Sequence, residues 1–164
     1  MTTLFVILGI VALLAIFIIA IYNRLVALRQ TCNQAWSDVD VQLKQRYDLI
    51  PNLVNTVKGY AKHEKETFED VVAARNSAVS ANGVGQQAKA EGMLGAALGR
   101  LFALAEAYPD LKANTNFLQL QDQLADIENK ISASRRFYNN AAQEYNTARE
   151  QFPAVVIASP LGFQ

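Results

Sequence analysis

Asp48-Leu49-Ile50-Pro51-Asn52-Leu53-Val54 is the stretch that decides the fold. A proline inside an apolar-periodic run reads either as a helix end or as a kink, and the two readings build different molecules. Pro51 has no N–H to donate, and its ring crowds the carbonyl of Tyr47. Yet the apolar spacing continues across it, through Ile50, Leu53, Val54, Val57 and Tyr60. A face that resumes in register predicts a kink within one long helix. Asp48, three residues before the proline, is expected to cap amide groups freed there, or with Asn52 to meet a partner.

Upstream, Leu25, Leu28, Cys32, Ala35, Trp36, Val39, Leu43 and Tyr47 recur at steps of three and four. Arg24, Gln34, Asp38 and Gln45 take the opposite face. No glycine or proline separates this helix from the charge-free run Leu4 to Tyr22. At about 1.5 Å rise per residue that run reaches roughly 29 Å, the thickness of a hydrocarbon core. A cleaved signal peptide would want a basic residue ahead of a shorter apolar run and a small-x-small cleavage site. Only Met1, Thr2 and Thr3 precede this run. Residues 1–23 are therefore expected to be an uncleaved anchor, with the bilayer contacting Leu4 to Tyr22 and Tyr22 at interfacial depth. Basic residues follow the run (Arg24, Arg29, Lys44, Arg46) and none precedes it. That bias predicts a cytoplasmic C-terminal domain and an N-terminus outside.

Downstream, Gly59 and Lys62-His63-Glu64-Lys65-Glu66 mark a weak point, read as a tilt in the helix. The pattern recovers at Phe68, Val71, Val72, Arg75, Ala78 and Val79, and stops at Asn82-Gly83-Val84-Gly85. The next helix is expected from about Gln87 to Ala107, ended by Tyr108-Pro109-Asp110. Its Gly92, Gly95 and Gly99 each lower helix stability by roughly 1 kcal/mol relative to alanine. Tight helix contact is the expected reason for them, in preference to a hinge. Asn114-Thr115-Asn116 offers caps for the last helix, whose apolar residues run near a heptad from Phe117 to Ala148. Phe152-Pro153 stops it, and residues 153–164 are expected to pack as an extended strap. The predicted fold is all-α. An N-terminal transmembrane helix continues into an antiparallel up-and-down bundle of about four helices over residues 24–152.

Chemistry is sparse. Fifteen basic residues balance fifteen acidic ones, which speaks against a nucleic-acid partner. Cys32 is the lone cysteine, so an intrachain disulfide and a cysteine-rich zinc site are both excluded. His63-Glu64-Lys65-Glu66-Thr67 begins like a helical zinc motif, but Thr67 stands where the second histidine belongs. Gly83-Val84-Gly85 sits between helices and is no phosphate loop. No catalytic, cofactor-binding or metal-binding residue and no small-molecule substrate is expected. Two features stand out. Asn52, Asn55, Glu128, Arg135, Asn139 and Asn146 fall on or beside the apolar stripes, and Tyr138-Asn139 repeats seven residues later as Tyr145-Asn146. These read as a satisfied buried network with aromatic packing, or as an interface.

The residues Trp36-Ser37-Asp38-Val39-Asp40-Val41-Gln42-Leu43-Lys44, Arg46 with the 48–54 stretch, and Thr56-Val57-Lys58-Gly59-Tyr60-Ala61 carry a resemblance. So do Glu106-Ala107-Tyr108-Pro109-Asp110-Leu111-Lys112-Ala113-Asn114, Glu128-Asn129-Lys130-Ile131, Arg135, Tyr138-Asn139, Tyr145-Asn146 and Phe152-Pro153. Together they make the chain similar to the LemA family of bacterial membrane proteins. The resemblance implies a single-pass, helical protein of the inner membrane with no attached activity, cofactor or catalytic residue. It makes Asp48, Pro51, Asn52, Tyr60, Tyr108, Pro109, Glu128, Arg135, Tyr138, Asn139, Tyr145 and Asn146 the signature or interface positions. The expected role is a non-enzymatic scaffold or adaptor of the envelope that self-associates or holds another membrane protein. Its contacts would lie on the Tyr138/Tyr145 face and the 48–55 region. The competing readings are a lipid-handling protein opening at the glycine-rich helix, and a hydrolase or metal-dependent enzyme using His63.

Overall fold

The computed structural model describes residues 1–163. Helix makes up 86% of the chain, and no strand occurs among the described residues, so the fold class is all-α. The helices are α1 (Thr2–Lys58), α2 (Lys65–Ser80), α3 (Val84–Ala105), α4 (Pro109–Lys112), α5 (Thr115–Glu150) and α6 (Ala154–Ala158).

α1 runs unbroken through Pro51. The reason is visible in which side faces in. Arg46, Tyr47, Ile50, Leu53, Val54 and Val57 are buried, while Pro51 itself is exposed. The ring therefore costs no packing, and the helix loses one hydrogen bond. That loss orphans the carbonyl of Tyr47, not an amide, so a carboxylate cannot repair it. Arg75 on α2 does, donating from Nε to the Tyr47 carbonyl at 2.8 Å. The capping role expected for Asp48 is thus not found; Asp48 is exposed and caps nothing.

The point after Lys58 is a full break, not a tilt. Tyr60 and Ala61 both turn their N–H groups back to the carbonyl of Val57, and α2 begins only at Lys65. Gly83 starts α3 with φ 80°, a left-handed value that glycine adopts without strain. α3 ends at Ala105, and Pro109 opens the short α4 where a plain stop is expected from the sequence. Asn114 caps α5 as expected, its Oδ1 accepting from the N–H of Phe117 at 3.0 Å. The tail differs from the strap expected of it: residues 154–158 coil into α6.

The chain divides into two compact units, Met1–Val39 with Ser132–Gln164, and Asp40–Ile131. In the first, Leu25, Tyr145, Ala148, Ala154, Ala158 and Phe163 form a core, with Ile21, Val26, Leu28 and Cys32 against it. Trp36 packs against Tyr138 with ring centroids 5.2 Å apart and the planes tilted by 60°. The second unit buries Leu43, Ile50, Leu53, Val57, Val71, Leu94, Leu101 and Leu111 almost completely. The N-terminal part of α1, within the first unit, lies outside that core. It contains an 18-residue window apolar enough to cross a membrane, with none of that window buried.

Candidate functional site: a buried clamp and an open carboxamide groove

The second unit holds a polar cluster inside its apolar core. Arg46 on α1 is 5% exposed. Its Nη2 donates to Glu91 Oε2 of α3, and its Nη1 to Glu128 Oε2 of α5, both at 2.6 Å. The next residue, Tyr47, donates its hydroxyl to Glu91 Oε1 and accepts from Gln87 Nε2 at 2.7 Å. Gln87 also reaches Glu91 Oε1 at 3.2 Å. With Arg75 on the Tyr47 carbonyl, two adjacent residues of α1 are tied to α2, α3 and α5. Buried charge is tolerable only when paired and hydrogen-bonded, and here it is both. Burial, and then the Glu91 carboxylate beside it, push the Tyr47 phenol above its ordinary range. The cluster is buried at Arg46 and Glu91 and reaches solvent at Glu128. Its chemistry is that of a register lock on four helical segments.

One turn past the clamp, the same unit opens to solvent. Asn52, Asn55, Thr56, Asn116, Gln119, Leu120 and Gln123 line a groove of about 370 Å³. None of these side chains carries a charge. The carboxamides of Asn52, Asn55, Asn116, Gln119 and Gln123 make no hydrogen bond within the described residues, so each keeps free donors and an acceptor. Asn52 and Asn55 lie three apart on α1. Asn116, Gln119 and Gln123 step by three and four along α5, so each set shares one helix face.

The signature residues fall into several groups. Glu128 belongs to the clamp, Pro51 created the need for Arg75, and Asn52 lines the groove. Tyr60 accepts from the Asn114 cap at 2.8 Å, Tyr108 precedes α4 with Pro109 at its first turn, and its hydroxyl lies 3.4 Å from Glu64. Arg135 is half-buried and engaged. Of the Tyr138/Tyr145 face, Tyr145 is 8% exposed in the core of its unit, and Tyr138 is half-buried against Trp36. Asn139 and Asn146 are exposed beside them, not part of a buried network. The buried network exists, but other residues build it. Glu91 and Gln87 went unnoticed in the sequence. The available signal was their register with Leu94, Leu98 and Leu101 on the buried stripe of α3.

Gly92, Gly95 and Gly99 also depart from expectation. A Cβ at any of them would meet nothing within 4 Å, so these glycines serve no close helix contact among the described residues. His63 is exposed and precedes α2, so it does not lie on a helix as the zinc motif requires. No group of three or more metal-ligating side chains occurs among the described residues.

These features define a class, an all-helical protein with one N-terminal helix long and apolar enough to cross a membrane. More narrowly, the chain belongs to the LemA family, whose sequence profile matches residues 35–164. It is 27% identical to magnetosome protein MamQ of Magnetospirillum gryphiswaldense, over 87% of this chain and 62% of that protein. Magnetosome protein MamQ 2 of Paramagnetospirillum magneticum is 26% identical over 96% of this chain and 67% of its own length. Protein LemA of Metamycoplasma hominis is 27% identical over 85% of this chain and 64% of its own. The chain thus spans roughly two thirds or a little less of these relatives.

Proposed function

We propose that this protein is a single-pass, non-enzymatic adaptor of the bacterial inner membrane, anchored through residues 4–22, which holds a partner or a second copy in the carboxamide groove. The observation that carries the reading is the groove itself. Unpaired, uncharged carboxamides on two helices are amide isosteres, each able to donate to and accept from a passing peptide main chain. An extended segment rises about 3.3 Å per residue, and residues 116 to 123 of a helix span roughly 10.5 Å, so three residues of such a segment fit the ladder. Contacts of this kind select for an extended neutral segment without demanding a sequence.

The helices are read as an antiparallel up-and-down bundle of about four. Support comes from rising numbers along α1 meeting falling numbers along α5 inside each unit: Leu25 shares a core with Tyr145 and Trp36 packs on Tyr138 in one, and in the other Arg46 binds Glu128 while Tyr60, just past α1, accepts from Asn114, the cap of α5. The clamp then fixes the register of the domain that presents the groove. The arginines that flank the span support a cytoplasmic side for that domain. The anchor raises its effective concentration for partners at the same membrane. The relative named as a magnetosome protein supports service in an organised assembly. Photo-crosslinkers at Asn52 and Gln119, in cells, are expected to give a discrete adduct that is absent with the probe at exposed Glu69 on α2. Equal labelling from all three positions would count against the groove.

A further inference from the structure

We propose that residues 152–161 form a second membrane-contacting element, seated in the interfacial layer of the bilayer that α1 leaves. The inference rests on the reading of residues 4–22 as a span, and everything else in it lies within one compact unit.

The first observation is level. The end of α5 lies opposite the last turn of the span. A cleft of about 80 Å³ is lined by Ile21, Arg24 and Leu25 from α1, and by Gln151, Phe152 and Ala154 from the other side. Ala154, Ala158 and Phe163 share a core with Leu25, and Ile21 packs against it. Tyr22, the residue expected at the interface, meets the Phe163 ring edge-on at 5.4 Å. The tail is therefore docked where the apolar run ends.

The second observation is what the tail shows outward. Ala154 and Ala158 take the inner face of α6, and the outer face is apolar as well. Phe152 is 82% exposed, Val156 64%, Val155 47% and Leu161 43%. Such a cluster is costly in water and suits the headgroup–acyl boundary. No charged residue occurs from 151 to 163. Arg24 and Arg29 stand at the base, the latter over the Phe163 ring at 5.1 Å, where long cationic side chains reach phosphates.

The third observation concerns the backbone, which must satisfy its own polar groups to enter a low-dielectric layer. Val155 N–H bonds to Gln151 at 2.9 Å, Val156 to Pro153 at 3.2 Å, Leu161 to Ile157 at 3.2 Å and Phe163 to Ala158 at 3.0 Å. The tail thus satisfies much of its own backbone and presents an uncharged, mostly apolar wedge beside the anchor.

The test uses the full chain with Cys32→Ala and one new cysteine, carrying an environment-sensitive nitrobenzoxadiazole probe. The protein is reconstituted into vesicles of phosphatidylethanolamine and phosphatidylglycerol. The three sites are Phe152→Cys, Leu13→Cys in the span, and Asn139→Cys, which lies roughly 20 Å along α5 from residue 152. Phe152 is so exposed that its replacement leaves the core intact. The Phe152 probe is expected to shift to the blue, lose iodide quenching, and be quenched by lipids bearing a nitroxide near the headgroup. The Asn139 probe should stay open to iodide. A Phe152 probe that answers iodide like the Asn139 probe, while the Leu13 probe is quenched by deep nitroxides, overturns the inference and leaves the anchor standing. Protection from iodide without quenching by lipid nitroxides means that protein covers the tail, and also overturns it. A Leu13 probe open to iodide overturns the anchor and this inference together.

Discussion

Replacing Arg46 by methionine removes the centre of the clamp while keeping most of its volume. The cost follows from what remains. Arg46 and Glu91 have side chains 7% and 4% exposed, so the variant removes the guanidinium that neutralises the Glu91 carboxylate in the core. Breaking one side of a buried ion pair costs about 3–5 kcal/mol. The hydrogen bonds from Tyr47 and Gln87 to Glu91 persist and bring the expected loss to the lower end, about 3 kcal/mol. Glu128 is a different case. Its side chain is 53% exposed, so Glu128→Ala is expected to cost less than about 1 kcal/mol, although its bond to Arg46 is as short as that of Glu91. Arg46→Met with Glu91→Leu removes both buried charges, and this double variant should regain most of the loss. Urea unfolding in detergent, followed by circular dichroism, measures the cycle of the natural chain, Arg46→Met, Glu91→Leu and the double variant, with Glu128→Ala beside it. Equal losses for Arg46→Met and Glu128→Ala, or additive losses in the double variant, would refute the reasoning that burial sets the magnitude.

Arg75→Ala leaves the Tyr47 carbonyl without a donor and should cost about 1–3 kcal/mol. In a Pro51→Ala background the restored N–H takes that carbonyl, and the same substitution should cost less than about 1 kcal/mol by urea titration. Gly92→Ala, Gly95→Ala and Gly99→Ala should each stabilise the chain by about 0.5–1 kcal/mol, because their Cβ atoms enter open space; a loss at any of them would reveal a close contact. The Tyr47 phenol is held above its ordinary value of 10.0, so the folded state keeps its proton longer than the unfolded state does. Its contribution to stability is complete below pH 10.0 and is lost as pH rises beyond it. Alkaline melting curves of Tyr47→Phe should lack that part of the decline.

Much of the fold was legible because burial imposes a period that a single proline does not erase. Ile50, Leu53 and Val57 kept α1 in register through Pro51, and Asn114 announced α5 by its capping chemistry. The break after Lys58 was not legible, since the apolar spacing runs on to Tyr60 while the chain turns beneath it. The clamp was legible only in part. Arg46 and Glu91 are 45 residues apart and neither is odd alone; each becomes telling only as a charged residue on a buried stripe. Tyr138 and Tyr145 drew attention as a repeat, but a seven-residue repeat of aromatics is also what a core seam looks like. The tail misled because its prolines argued against helix, whereas Pro153 sits just before α6 and Pro160 just after it, where neither interrupts it.

The central claim is that the groove holds a binding segment at the membrane. The most direct measurement is the native mass of the full chain released from its membranes in mild detergent, for the natural sequence and for Asn52→Ala/Asn55→Ala/Gln119→Ala. The account predicts an assembly larger than the 18.1 kDa chain that falls to the single chain in the triple variant. A single chain in both, or an assembly indifferent to the three substitutions, would contradict it.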